Sequence, residues 1–207
     1  MTELRICFVG DSITQGTGDD TALGWPGRLI AAARAKGHDF CGYNLGIRRD
    51  TSKDIERRWK AEVEARLPKT APGAVVFKFG INDMQSAGGE LFRVPPPESV
   101  KAARAMVAEA RARWPVLWIS PVPPLPGHRT KDAFPDLEDD YINIRAQKLV
   151  ESYAHLAKEL DVPYLDLYTP LVTAGLTRWR WRRALEKRSE EHTSELQSRL
   201  HLVCRLL

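Results

Sequence analysis

The segment from Leu4 to Gly16, LRICFVGDSITQG, is the clearest indication of the architecture of this protein. It begins as an apolar, β-prone run and ends abruptly in the small polar sequence Gly-Asp-Ser. Similar runs recur along the chain at Phe40–Leu45, Ala74–Phe79, Val116–Ile119 and Pro163–Leu167. Short apolar runs of this kind are typical of strands that are buried on both faces of a sheet. The opening stretch is therefore the first of five predicted strands.

Helical periodicity fills the gaps between these runs. In Ser52–Leu67 the apolar residues Ile55, Trp59 and Val63 recur every four positions and form one stripe. The other predicted helices are Gly27–Lys36, Glu98–Trp114 and Leu137–Leu160. Strands that alternate with helices, joined by right-handed crossovers, predict an α/β fold in which a parallel sheet lies between two helical layers.

Length and composition indicate one domain of ordinary size. The chain has 207 residues, of which 43% are hydrophobic, and that suits a single α/β core. No apolar run is long enough for a transmembrane helix, and the first ten residues lack the pattern of a secretory signal. The three cysteines, Cys7, Cys41 and Cys204, cannot all pair, so we expect reduced thiols. We therefore expect a cytoplasmic protein with no membrane partner, and its oligomeric state is left open.

The net charge of +4 does not indicate a nucleic-acid partner. Residues 178–207 contain eight basic and four acidic side chains and carry the whole excess. The preceding 177 residues contain 23 basic and 23 acidic side chains, so the body of the chain is neutral. A nucleic-acid-binding face requires a concentrated basic surface on the folded domain, and none is predicted here.

Three of the predicted strands are followed by residues that suit nucleophilic catalysis. Ser12 follows the first strand, Gly46 the second and Asn82 the third. Because the carboxyl ends of neighbouring parallel strands meet at one edge of a sheet, we expect these residues to lie together. A serine at a strand-to-helix turn has an accessible hydroxyl, and a glycine N–H and an asparagine amide can donate hydrogen bonds to a developing oxyanion.

These blocks resemble those of the SGNH hydrolases, the GDSL-type esterases and lipases. The chain has Gly-Asp-Ser at residues 10–12, a glycine after the second strand and Gly-x-Asn-Asp at residues 80–83, in the family's order. The segment 24–29, GWPGRL, is a common sequel to the first block. The resemblance implies a three-layer α/β/α, flavodoxin-like domain with a five-stranded parallel sheet in the order 2-1-3-4-5.

The resemblance also implies roles for three residues. Ser12 would attack the acyl carbon, while the Ser12 and Gly46 N–H groups and the Asn82 side chain hold the oxyanion. The implied reaction is hydrolysis of a small-molecule carboxylic acyl ester through an acyl-enzyme, and it needs no cofactor. Acyl chain length, alcohol partner and the balance between hydrolysis and acyl transfer stay open.

Two aspartates in these blocks are interpreted as structural. Asp11 and Asp83 are expected to accept hydrogen bonds from loop backbone, and Gly80 is expected to support the same loops. The acidic runs at residues 19–20 and 138–140 have no histidine or further carboxylate at ligand spacing. We therefore predict no metal site.

The family's last block, Asp-x-x-His, does not occur in this sequence. In that block the histidine takes the serine's proton and the aspartate orients it. The segment Arg188–Ser198, RSEEHTSELQS, matches the translation of a sequencing-library adapter. We therefore expect a hydrolase domain over residues 1–177 that lacks this block and the last helix, a non-native tail over residues 178–207, and an inactive chain.

Arg48 and Arg49 also differ from the family, which often has small residues and another glycine after the second strand. Two arginines there either place positive charge beside the pocket and favour a polar or anionic ester, or face solvent at the start of a helix. Both interpretations are compatible with the sequence.

Two other classes of function remain as alternatives. A non-catalytic ligand-binding relative would account for the missing histidine without an artefact. A nucleotide-binding α/β domain is suggested by Gly16 and Gly18, but Thr21 replaces the third glycine of the fingerprint and Asn44, rather than an acid, ends the second strand. The nucleotide reading is the weaker of the two.

Overall fold

The computed structural model describes residues 3–86, 90–123 and 140–173. Strands and helices alternate through these segments as predicted. In chain order the elements are β1 (Leu4–Gly10), α1 (Ser12–Gln15), α2 (Gly24–Ala35), β2 (Phe40–Gly46), α3 (Ser52–Arg66), β3 (Gly73–Lys78), α4 (Pro96–Arg111), β4 (Val116–Ile119), α5 (Asp140–Glu159), β5 (Tyr164–Leu165) and α6 (Tyr168–Thr173).

The five strands form one parallel sheet in the order β2-β1-β3-β4-β5, which confirms the predicted topology. The chain starts in the interior of the sheet, passes to one edge and then returns to build the other side. The order therefore reverses at β1, and in such sheets ligands bind beyond the strand ends at the reversal. Gly10 on β1 is in register with Gly46 on β2 and Lys78 on β3, so the three strands end level with one another.

Side chains alternate between the two faces of the sheet and form two apolar cores. Cys7, Val9 and Phe77 pack against α3, α4 and α5 on one face. Ile6 and Phe8 pack with α2 on the other face. Because successive side chains of a strand point to opposite faces, strands that are apolar throughout fill both cores. The helices on both faces confirm the three-layer α/β architecture.

Helix α3 begins where its local chemistry predicts. The Thr51 hydroxyl accepts a hydrogen bond from the Asp54 N–H, and the Asp54 carboxylate accepts one from the Thr51 N–H, which together form a capping box. Ile55, Trp59 and Val63 are buried on the face that contacts the sheet, as the stripe predicts. This fixed start sets the position of the loop between β2 and α3, which borders the site.

The two shortest helices are not predicted by sequence periodicity. Helix α1 has four residues and α6 has six, and neither is long enough to show a repeat. Helix α2 begins at Gly24 rather than at Gly27, and β5 is shorter than its predicted run. The predicted start of α5 at Leu137 and the expected tail at 178–207 lie outside the described residues. Cys7 and Cys41 are free thiols, as expected.

Candidate active site

The site lies where β1, β2 and β3 end. Ser12 follows the last residue of β1 by two positions, and Asn82 follows the last residue of β3 by four. The Ile47 N–H donates to the Gly10 carbonyl at 3.1 Å, which brings the loop after β2 against the end of β1. The structure therefore brings the Ser12, Gly46 and Asn82 blocks to one edge of the sheet.

Ser12 is the first residue of α1, and the helix is capped at both ends. The Asp11 carboxylate accepts from the Ile13 N–H at 2.9 Å, and the Gly16 N–H donates to the Ser12 carbonyl at 3.0 Å. Gly16 has a φ of +94°, which a residue without Cβ adopts without strain. The Ser12 side chain is half-buried, and the helix does not use its N–H because it is one of the first donors. The two caps of α1 thus fix the position of the Ser12 hydroxyl and of the Ser12 N–H.

Gly46 lets the end of β2 pack directly on α1. A Cβ at this position would lie 2.2 Å from the Gln15 nitrogen, so only glycine fits. Its N–H, however, donates to the Asn44 side-chain oxygen at 3.0 Å, and the Asn44 amide donates to the Thr14 carbonyl at 2.9 Å. The predicted oxyanion donor is therefore already hydrogen-bonded within its own loop.

Asn82 lies against the later part of the same loop. Its side chain is 4% exposed, and its amide donates to the Asp50 carbonyl at 2.8 Å. Just before Asp50, Arg49 has a φ of +72°, which is unusual for a residue with a Cβ. The Arg93 guanidinium donates to the Arg49 carbonyl at 2.8 Å and fixes that turn. No hydrogen bond from the Arg49 N–H is found among the described residues.

The Arg49 N–H is thus a backbone donor that the motifs do not predict. In the sequence Arg49 stands out only for its charge, because an arginine gives no sign of a left-handed backbone. The missing glycine at this point in the block was the available signal. A strained, fixed backbone beside a candidate nucleophile is a frequent feature of functional sites.

Asp83 is a buried structural anchor, but its partners are not local. Its carboxylate accepts from the Ser52 N–H at 2.8 Å and from the Ser99 hydroxyl at 2.5 Å, and Ser99 also contacts the Tyr153 hydroxyl at 2.7 Å. Burial raises the pKa of Asp83, and the hydrogen bonds from Ser52 and Ser99 oppose that rise. Gly80, at a φ of +116°, packs against the Tyr153 ring. Asp83 therefore joins the third block to α3, and through Ser99 and Tyr153 to α4 and α5.

Asp11 has a second partner in Lys78. The Lys78 side chain is 3% exposed, and its Nζ lies 3.7 Å from the Asp11 carboxylate. Burial lowers the pKa of Lys78, and the charge of Asp11 opposes that fall. Lys78, although it lies in a central strand, therefore has a buried acid beside it: Asp11, which directly follows the neighbouring strand β1.

Arg58 on α3 connects the same strand ends from the opposite side. Its guanidinium donates to the Gly10 carbonyl at 2.9 Å, the Leu45 carbonyl at 2.9 Å and the Asp50 carboxylate at 2.7 Å. It also forms an ion pair with Glu62 at 3.1 Å. Arg58 could not be singled out from the sequence, because a charged side chain in the middle of a helix resembles an ordinary solvated one. Arg58 holds the Ser12 and Arg49 loops together.

The described residues supply no histidine partner for Ser12. His155 lies exposed on α5, with its Nδ1 3.0 Å from the Glu151 carbonyl, and His38 follows α2 in a turn. His128, His192 and His201 lie outside the described residues. Within the described segments no group of three or more side chains could hold a metal ion, and no helix has the length and hydropathy for a bilayer crossing.

An open groove of about 520 Å³ runs beside α1. Its walls are the end of α1 with the turn that follows, residues 15–19, and the start of the loop after β2 at Gly46, Ile47 and Arg48. Ile13 and Ile47 are large apolar residues near Ser12 that stay exposed. Neither Ser12 nor Asn82 lines this groove, so it adjoins the site and offers both apolar and charged surface beside it.

A flavodoxin-like sheet with a serine after the first strand and an asparagine after the third defines the SGNH class of hydrolase. The sequence profile of the GDSL-like lipase/acylhydrolase family matches residues 8–201. The chain belongs to this family.

Solved structures share the fold. AlinE4, an SGNH-hydrolase family esterase, is 23% identical over 79% of this chain and 76% of its own, with a TM-score of 0.59. The lipase/acylhydrolase from Enterococcus faecalis is 22% identical over 82% and 78%, with a TM-score of 0.60. TesA is 25% identical over 77% and 76%, with a TM-score of 0.57. A search of curated proteins found no match.

Proposed function

We propose that this chain has the nucleophile and oxyanion hole of a serine esterase that forms an acyl-enzyme on Ser12. Family membership supports ester hydrolysis as the class of reaction. The observation that carries the mechanism is that Arg58 donates both to the Gly10 carbonyl, two residues before Ser12, and to the carboxylate of Asp50, whose carbonyl accepts from the Asn82 amide. A small-molecule carboxylic ester would place its carbonyl carbon against the Ser12 hydroxyl.

The oxyanion would be held by donors that are already fixed in place. These are the Ser12 N–H, the second N–H of the Asn82 amide and one backbone N–H of the loop after β2. Gly46 was the expected backbone donor, but its N–H already has a partner in Asn44, whereas the Arg49 N–H has none among the described residues. We therefore favour Arg49 for this role. Preorganised donors of this kind are each worth about 3 kcal/mol of transition-state stabilisation.

We expect the chain to be a poor catalyst because its sequence has no Asp-x-x-His block to accept the proton of Ser12. The sequence contains no Asp-x-x-His, and a serine hydroxyl without an adjacent base is a weak nucleophile. Loss of the histidine from a serine hydrolase lowers kcat on the order of 10⁶-fold. Asp83 and Lys78 do not replace it, since their buried partners are Ser52, Ser99 and Asp11.

The experiment supplies the missing block. Residues 178–207 are replaced by the carboxyl-terminal segment of a family esterase that contains Asp-x-x-His, and hydrolysis of p-nitrophenyl acetate is measured for the original and the grafted chain. We expect activity near background for the original chain and clear turnover for the graft. Ser12→Ala in the graft should abolish that turnover. Turnover that survives Ser12→Ala would contradict the proposed nucleophile.

A non-catalytic ligand-binding role is the second candidate, and the absence of Asp-x-x-His is the observation in its favour. The same graft separates the two functions. A folded graft that binds an ester without hydrolysing it or acquiring an acyl group on Ser12, as judged by intact mass, would favour the binding role.

A further inference from the structure

The rim of the proposed site has a concentration of positive charge. Arg48 and Arg49 follow Ile47, whose N–H is bonded to Gly10, and Arg93 reaches the same turn from the segment before α4. Arg48 and Arg49 are exposed, and Arg93 is half-buried. The groove beside α1 is partly lined by Arg48.

Neighbouring acids do not neutralise these three arginines. Asp50 pairs with Arg58, and Asp54 pairs with Arg57. Among the described residues, no carboxylate lies within ion-pair distance of Arg48, Arg49 or Arg93. These three arginines form what we call the arginine rim.

The acids that face the arginine rim are already engaged. Arg93 lies near enough to Asp54 and Asp83 for its charge to favour their ionised forms, although burial still raises the pKa of Asp83. Both carboxylates bond mainly to other groups. Asp19, on the opposite wall of the groove, is held by Arg28, Thr21 and the Gly24 N–H. The charge of the rim is therefore available to a ligand.

Backbone contacts fix part of the rim before any ligand arrives. Arg93 uses one guanidinium nitrogen to bond the Arg49 carbonyl, and its backbone N–H contacts the Asp83 and Gln85 carbonyls at 3.1 and 2.7 Å. The +72° φ of Arg49 is held by the same contact. A preorganised guanidinium loses little conformational freedom when it binds an anion, and its planar donors match carboxylate and phosphate oxygens.

We propose that the arginine rim binds an anionic group of the substrate, so that the preferred esters carry a carboxylate or a phosphate as well as the ester bond. This inference rests on the proposed function, since it takes the rim to border a site built around Ser12. It goes further by assigning the substrate's charge. The anionic end of the substrate would lie beside the turn of Arg49 and Asp50 and be bound by the arginine rim. Its ester carbonyl would then lie against the Ser12 hydroxyl.

The experiment measures binding rather than turnover. Full-length Ser12→Ala chain is titrated, by NMR at low ionic strength, with three esters: monoethyl succinate, 2-acetoxyethyl phosphate and the neutral control diethyl succinate. We expect both anionic esters, or one of them, to bind at least about tenfold more tightly than the neutral ester, and salt to weaken that preference. The stronger of the two anions identifies the chemistry of the group.

Variants locate the binding to the rim. Arg48→Gln, which removes no hydrogen bond or ion pair among the described residues, should weaken the anionic ester about tenfold and leave diethyl succinate unchanged. Arg93→Gln should weaken the anionic ester by at least as much, because it also frees the Arg49 turn. Arg104→Gln, which removes one charge from an exposed pair with Glu159 on α5, is the matched control and should leave binding unchanged. Thermal midpoints check that each variant is folded.

Three results would overturn the inference: equal affinity for charged and neutral esters, no binding by either anion, or an equal loss in Arg104→Gln. These outcomes are separate from the proposed function. The grafted chain can hydrolyse neutral esters through Ser12 even if the rim binds no anion, and the rim can bind anions even if Ser12 proves inert.

Discussion

Arg58→Met tests whether one guanidinium holds the strand ends in place. Methionine keeps much of the side-chain length but removes every hydrogen bond from Arg58 to Gly10, Leu45 and Asp50. We expect the free energy of unfolding to fall by about 3 kcal/mol, because the partners left behind are poorly solvated.

The magnitude follows from the burial of the group. The Arg58 side chain is 16% exposed and that of Asp50 is 14% exposed, so removal of the arginine leaves a carboxylate that water reaches only in part. The Leu45 carbonyl also loses its guanidinium contact, whereas the Gly10 carbonyl keeps the Ile47 N–H. Breaking a fully buried pair costs about 3–5 kcal/mol, and partial exposure puts this change at the lower end of that range.

The assay is urea unfolding followed by tryptophan fluorescence, since Trp59 and Trp118 are buried and report on the core. Arg57→Met is a matched control one residue away: its side chain is 74% exposed and, within the part of the chain that the structure describes, pairs only with Asp54. We expect the control to change stability by less than about 0.5 kcal/mol. Equal losses in the two variants, or a loss below about 1 kcal/mol in Arg58→Met, would refute the reasoning.

Two further predictions concern the loops. Gly46→Ala should lower the free energy of unfolding by about 3 kcal/mol, because the new Cβ would lie 2.2 Å from the Gln15 nitrogen. Arg49→Gly should raise it by up to about 1 kcal/mol, because glycine adopts the +72° φ without strain. The midpoints of urea unfolding measure both changes. Asp83→Asn should flatten the dependence of stability on pH. Because burial raises the pKa of Asp83 above 3.8, the folded chain holds this proton more tightly than the unfolded chain, and stability falls as pH rises through the raised pKa.

Each of these predictions has a contradicting result. A neutral Gly46→Ala would mean that β2 does not pack on α1 as described. A destabilised Arg49→Gly would mean that the arginine side chain contributes more than its backbone conformation costs. For Asp83, thermal midpoints compared from acidic to neutral pH should fall less steeply with rising pH in the asparagine variant. Parallel slopes would contradict the raised pKa.

The fold could be predicted because its signals are local. Each strand is a separate apolar run, the stripe of Ile55, Trp59 and Val63 marks one helix, and the alternation of the two element types requires a parallel sheet. The four-residue α1 could not be predicted in this way, since its start depends on one cap by Asp11 and its length is only about one helical turn.

The site could be predicted only in part. Motifs identified Ser12 and Asn82, whose blocks the structure brings to one edge, but they selected Gly46 as the backbone donor without its bond to Asn44. The role of Arg58 and the long-range partners of Asp83 depend on residues that are distant in sequence. No local pattern contains that information.

The order of strands and helices, the candidate nucleophile and the lack of an Asp-x-x-His block can all be read from the residues in order along the chain. That Lys78 lies beside Asp11, that Asp83 bonds to Ser99 and that Arg49 has a φ of +72° appears only in the folded molecule. The difference arises because strand and helix preferences act over a few neighbouring residues. The partners of a buried charge or a strained turn are chosen only when distant strand ends meet.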